Sequence, residues 1–171
     1  MIRILGIDPG SRYTGFGIIE SDGIKSRYIH SGYIKVKGDE LPEKLGHIFA
    51  EVSAIIKEWQ PEVMAVEQVF VGKNVDSALK LGQARGAAIC AGVSVGLAVG
   101  EYTPRTIKKA VVGRGSADKE QIQEIMRIIL KLTDKLQSDE ADALAVALCH
   151  AHNNTRLGQT LKQIKTTGAG W

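Results

Sequence analysis

Apolar residues along this chain change period repeatedly, and the changes divide it into elements. Ile2, Ile4, Leu5 and Ile7 form a short β-branched run closed by Asp8-Pro9-Gly10. A run of that kind, bounded by a turn signal, predicts a buried strand that delivers a carboxylate to the rim of a sheet. Tyr13 to Glu20 alternates loosely and stops at the hairpin signal Asp22-Gly23. Lys25 to Lys37 alternates better, with Ile29, Ser31, Tyr33, Lys35 and Lys37 against His30, Gly32, Ile34 and Val36. Three strands with short connections predict an antiparallel meander.

From Leu41 to Trp59 the period becomes helical. Leu41, Leu45, Ile48, Val52, Ile55 and Ile56 share one face, and Pro61 ends the run. Glu62 to Glu67 reads as a strand parallel to the first, reached by a right-handed crossover, and it too ends on a carboxylate. Gln68 to Val75 reads as a loop containing Phe70 and Lys73. An Ala/Gly-rich helix follows from about Asp76 to Gly96, then a fifth strand from Leu97 to Glu101. Thr103-Pro104 supplies a cap and a first-turn proline for a short helix. After the loop from Val112 to Ser116, Ser116 is expected to cap a helix from Ala117 to Leu132. A last helix is expected from Asp139 to about His152. The pattern predicts an α/β fold: a single domain over 1–152 with a mixed five-stranded sheet flanked by helices. The stretch 153–171 shows no periodic apolar face and is expected to be a basic, flexible tail.

Composition changes this picture little. With 171 residues, 44% hydrophobic and 24% charged, the chain has the size and make-up of one globular domain. The net charge of +3 is mild, but its distribution is uneven. Asp39 to Glu67 carries seven acids and two bases, whereas Tyr102 to Lys119 carries Arg105, Lys108, Lys109, Arg114 and Lys119 against Asp118 alone. A basic zone on a near-neutral protein suggests a polyanion partner, though a solvated helix face gives the same count. Cys90 and Cys149 lie among Ala, Ile and Val without metal-ligand spacing, so both are expected as buried, reduced thiols. Asp8 interrupts the first apolar run, so no signal peptide is expected. The uncharged run from Gly86 to Gly100 is too short for a membrane span. A cytoplasmic location is the corresponding expectation.

The chemistry rests on four carboxylates. Taken alone, Asp8 before Pro-Gly serves as well for a turn as for a ligand. Asp139 and Asp142, three residues apart at a helix start, share a face and equally suit the helix dipole. The apolar ALAVAL segment after Asp142 pins that end of the helix to the core. Asp8 and Glu67 end strands that the topology makes neighbours, at the sheet edge where open α/β sheets place ligands. If the last helix crosses that edge, four anions converge and need cations or protons. Oxygen donors without His or Cys select Mg²⁺ or Mn²⁺. Two such ions about 4 Å apart can clamp a phosphodiester undergoing in-line attack.

The segments GIDPGSRYTGFG, VEQVFVGKNVDSALKLGQARG, VVGRGSADKEQIQ and DEADALAVAL closely resemble the RuvC family of crossover-junction (Holliday-junction) endonucleases. The resemblance runs collinearly from about Ile2 to His152. It implies an RNase H-like fold, and a homodimer that nicks two strands of a four-way DNA junction symmetrically in recombination and repair. By the motif match, the catalytic, metal-binding acids fall on Asp8, Glu67, Asp139 and Asp142. Two Mg²⁺ per site are implied, with Mn²⁺ able to substitute. The aromatic that contacts bases falls on Phe70, and DNA-contacting or catalytic lysines on Lys108 and Lys119. Lys73, Lys109 and Arg114 are further DNA-binding candidates. The family's branch-migration motor complex is an expected partner. A sugar-kinase or actin-like ATPase also opens with a strand and an Asp-x-Gly turn, but it needs a second lobe and a second phosphate loop that this length does not accommodate. The same residues are compatible with an RNase H-like nuclease acting on other nucleic acid, and with a junction-binding protein that does not cut.

Overall fold

The structure is a computed structural model and describes residues 1–70, 72, 74–113 and 117–154. Five strands, β1 (Ile2–Asp8), β2 (Tyr13–Ser21), β3 (Ser26–Lys35), β4 (Val63–Glu67) and β5 (Ala98–Tyr102), form one sheet in the order β3-β2-β1-β4-β5. The first three are antiparallel, and β4 and β5 run parallel to β1. Helices α1 (Leu41–Trp59) and α2 (Val75–Ser94) cover one face. Helices α3 (Pro104–Val112), α4 (Lys119–Ile129) and α5 (Ser138–Asn153) cover the other. Carboxyl ends of β1 and β4 therefore lie side by side, with Ile7 opposite Val66.

Local sequence accounts for most of these boundaries. The α1 start is held by Glu43, whose carboxylate accepts from the Asp39 and Glu40 N–H groups at 2.8 and 3.3 Å. It stops at Gln60, in the left-handed region at φ 47°, directly before Pro61. Thr103 caps α3 by accepting from the Thr106 N–H at 3.1 Å. The two faces of β2 are both covered, so Thr14 to Ile19 are all buried and the weak alternation there is explained.

Three expectations are corrected. The alternation expected over Lys25–Lys37 is broken by a bulge, because Ile18 pairs with His30 and Ile19 with Tyr28. Ile29 is the extra residue, and Tyr28 packs toward α5 whereas Ile29, Ile34 and Val36 pack toward α1 and α2. Helix α4 does not start at Ala117. Asp118 is its cap, accepting from the Gln121 N–H at 2.8 Å while the Gln121 side chain accepts from the Asp118 N–H at 3.3 Å. An alanine has no oxygen to take that role, and Ser116, the expected cap, lies outside the described residues. Cys149 is buried as expected but Cys90 is exposed, since it points off the outer face of α2.

Helix α5 is the central packing element. From Ala143 to Ala151 every residue is buried, because the helix lies between the sheet and the α3–α4 layer. An α-helix that is apolar all round belongs in such a place. It lies unusually close to β1 and β2. A Cβ at Gly6 would meet the Ala143 carbonyl oxygen at 2.1 Å, and one at Gly15 would meet the Asp139 carbonyl oxygen at 2.1 Å. Glycine at these two positions is what lets the helix backbone rest on the strands. No helix among the described residues is long and apolar enough to cross a membrane.

Candidate active site

Alternation along β1 and β4 turns Asp8 and Glu67 to the face that α5 covers, in step with Gly6 and Ala65. At the end of β1 the chain turns at once. Thr14, fully buried, donates its hydroxyl to the Gly10 carbonyl at 3.0 Å and accepts from the Gly10 N–H at 3.3 Å. That closes the Asp8-Pro9-Gly10 turn over its own strand.

Asp8, Glu67 and Asp142 line one cleft of about 280 Å³, together with Lys108, Lys119 and Asp118. Pro104, Ile107, Ala117, Ile122 and Ala145 complete its wall. The α3 and α4 layer thus supplies most of the apolar wall and both cations. Lys119 Nζ stands 4.0 Å from Asp142 Oδ2. Lys119 is otherwise well exposed, so this contact is a loose ion pair.

The acids are strained electrostatically. Burial pushes the Asp8 carboxyl up to about 8, and the charges of Glu67, Asp142 and Asp139 add to the shift. Glu67 is raised by burial and by Asp142. It is held down by the hydrogen bond from Asp8 and by Lys108 and Lys119. Asp142 is raised by burial and by Asp139, against Lys119 and Lys108. Both members of the Asp8–Glu67 pair are raised, as expected for two adjacent buried carboxyl groups that share one proton.

The donor set fits a hard divalent cation, since it offers carboxylate oxygens and neither sulfur nor imidazole. Their raised proton affinity marks the positive charge that such a cation would supply. Among the described residues no three His, Cys, Asp or Glu groups yet stand at common ligand spacing. The cleft holds one carboxyl pair, Asp8 with Glu67, and a separate Asp142–Lys119 contact. Asp139 does not line the cleft. It lies one turn earlier on α5, with its backbone against Gly15, close enough to act on Asp8 and Asp142 through its charge.

Phe70 is 62% exposed in the segment leaving β4, so it fills no core. Lys108 lines the cleft, whereas Lys109 lines a separate groove with Arg105 and His152. Lys73 and Arg114 lie outside the described residues. Sequence reasoning missed the Thr14 lock and the glycine floor under α5. The signal for the floor was present in Gly15-x-Gly17, two glycines on one face of a strand, opposite Gly6.

Residues 4–150 match the family model described as Crossover junction endodeoxyribonuclease RuvC. A protein of that name from Pseudoalteromonas atlantica is 53% identical over 170 residues, 99% of this chain and 98% of its own length. Another of that name, from Acinetobacter baumannii, is 59% identical over 152 residues, 89% of this chain and 84% of its own. Among solved structures, T. thermophilus RuvC in complex with Holliday junction substrate matches with a TM-score of 0.85 at 34% identity, covering 92% of this chain and 98% of that one. By fold, by the match across most of its length and by the identity of its relatives, the chain belongs to the RuvC family of crossover junction endodeoxyribonucleases.

Proposed function

We propose that this chain resolves four-way (Holliday) DNA junctions by paired symmetric nicks, hydrolysing phosphodiesters with two Mg²⁺ ions per site. The observation that carries the reading is the cleft where Asp8, Glu67 and Asp142 meet Lys108 and Lys119. Asp8 and Glu67 would hold the cations from two fixed strand ends, together with Asp142 and Asp139 from the start of α5. When bound, the ions supply Lewis acidity at the scissile phosphate, and Mn²⁺ serves in their place. Lys119 and Lys108 offset the negative charge that builds on the phosphate. The nuclease domain spans 1–152 with a separate tail, 153–171. The branch-migration motor complex of the family is a further partner. Incubation with a synthetic four-way junction and Mg²⁺ tests the reading. Paired nicks on the junction and none on linear duplex are expected, and equal nicking of both would overturn it.

Phe70 and Lys119 have separable roles in this scheme. Phosphate contacts weaken steeply with salt, because counterions are released, whereas stacking depends on salt much less. Lys119→Ala is therefore expected to slow cleavage and flatten its salt dependence. Phe70→Ala should leave the salt slope of binding intact and reduce cleavage, through loss of stacking worth about 1–3 kcal/mol per base. Single-turnover rates across a salt series check both. Phe70→Leu with full activity would show that no ring is needed.

Two sites facing one junction require two copies of the chain, and isologous pairing supplies them most simply. The outer face of α2 suits that contact. Val75, Leu79 and Val93 are each more than half exposed there, with Gly82 between them in open space. Sedimentation is expected to give a dimer at micromolar concentration for the wild type and a monomer for Leu79→Glu, with paired nicking lost. A monomeric wild type with full paired cleavage would sink the assignment.

A further inference from the structure

Arg85 lies on α2, on the opposite face of the sheet from the cleft, yet it reaches the end of the catalytic strand. Its Nε donates to the Glu67 carbonyl oxygen at 2.8 Å, and its guanidinium pairs with the Glu101 carboxylate on β5. The side chain is only 18% exposed. One planar fork thus joins a helix, the last peptide of β4 and the neighbouring strand. The other end of the same peptide is held too, since the Gln68 N–H donates to the Tyr102 carbonyl at 2.8 Å. Beyond it the chain departs toward Phe70.

The charge of Arg85 is taken up by Glu101. The groups that bias the Glu67 carboxyl are Asp8, Asp142, Lys108 and Lys119, all on the cleft side. What Arg85 contributes to the site is therefore direction and not potential. A carbonyl held at 2.8 Å fixes the peptide plane after Glu67. With it is fixed the backbone angle from which both the Glu67 carboxylate and the following loop take their aim.

We propose that Arg85 is a positioning residue for the nuclease reaction, setting the Glu67 carboxylate and the exit of the Phe70 segment by clamping the Glu67 carbonyl to β5 from α2. The inference rests on the roles proposed above for Glu67 and Phe70. A lysine at this position keeps the charge but cannot serve both acceptors in one plane.

The test is Arg85→Lys, read in four ways. Single-turnover cleavage should fall about 30-fold, within the range that an ångström of misplacement produces. The Mg²⁺ midpoint of cleavage should rise severalfold. Junction affinity, measured with Ca²⁺ in place of Mg²⁺, should stay within about twofold, and melting within a few degrees, because no core contact is lost. A 2-aminopurine placed at the crossover should brighten less on binding in Ca²⁺ than with the wild type. Glu101→Ala, which leaves Arg85 in place, should show the same pattern with a smaller loss. The double variant should cleave no more slowly than Arg85→Lys alone, since both act through one link. If Arg85→Lys melts below the assay temperature, Glu101→Ala carries the test. Wild-type cleavage and Mg²⁺ midpoint in the folded variants would overturn the proposal, as would a loss confined to affinity. Glu67→Gln separates the two layers of argument. If it is inactive while Arg85→Lys is normal, only the positioning role fails. If Glu67→Gln cleaves normally, the site assignment itself is wrong.

Discussion

Asp8→Asn is expected to abolish cleavage, by about a thousandfold or more, and at the same time to raise the melting temperature of the metal-free protein. The first effect follows from removing a carboxylate that the proposed ions need. Junction binding should persist, because phosphate and shape contacts do not use this group. The second effect follows from burial. Asp8 is held at about 8 by desolvation and by Glu67, Asp142 and Asp139, with Lys108 and Lys119 biasing the neighbouring acids. The folded state therefore binds a proton that the unfolded chain releases near pH 4, so folding stability falls as pH rises from about 4 to about 8. Asparagine cannot ionise, and its amide still donates to Glu67. The variant and the wild type should melt alike below pH 4 and separate as pH rises. At neutral pH the gap should reach on the order of 2 kcal/mol, or about 5 °C. Adding Mg²⁺ should raise the wild type more than the variant and narrow the gap. Melting curves over pH with chelator and with Mg²⁺ measure this directly. A variant that melts below the wild type in chelator at neutral pH would contradict the electrostatic account, and one that cleaves normally would remove Asp8 from the mechanism.

What the sequence made legible was whatever is encoded by neighbours along the chain. Pro61 after the Leu41–Trp59 period and Thr103-Pro104 before α3 bounded those helices correctly, because capping and proline geometry are local. The strand-end acids Asp8 and Glu67 were placed side by side by a general rule of chain crossover. Apart from the local Asp118–Gln121 cap of α4, what failed depended on contacts between distant segments. The Ile29 bulge answers to the packing of β3 on β2, and Cys90 is exposed because α2 turns that face away from the sheet. How the four carboxylates stand to one another depends on such contacts too. A spacing of three puts Asp139 and Asp142 on one helix face, but only the depth at which α5 beds into the sheet decides which of them enters the cleft. Arg85 was invisible as a site residue, because its two partners, Glu67 and Glu101, are brought together by parallel pairing of β4 and β5.

That bedding depth leads to the second large effect. Gly15→Ala should destabilise the protein and reduce cleavage together, because the added methyl would sit 2.1 Å from the Asp139 carbonyl oxygen and 2.7 Å from its carbon. These are backbone atoms, so no rotamer change relieves the overlap. Overpacking of this kind costs about 3 kcal/mol, or about 8 °C for a chain of this size. The relief available is a shift of the first turn of α5 away from the sheet, and that turn carries Asp139 and Asp142. Cleavage at a temperature where the variant remains folded should therefore still fall about a hundredfold. Gly6→Ala tests the middle of the same helix. Its methyl would meet the Ala143 carbonyl oxygen at 2.1 Å and the Ala147 N at 2.7 Å, where the helix cannot swing as an end can. It should therefore lose more stability than Gly15→Ala. Gly46→Ala is the control, since a methyl there meets nothing within 4 Å and the site is a helix interior. It should gain about 0.5–1 kcal/mol and leave cleavage unchanged. The decisive comparison is between rate and stability. If cleavage by Gly15→Ala recovers fully on cooling below its melting transition, the glycine floor serves folding alone. If the loss persists in the folded variant, the close approach of α5 is what holds its acids within reach of Asp8 and Glu67.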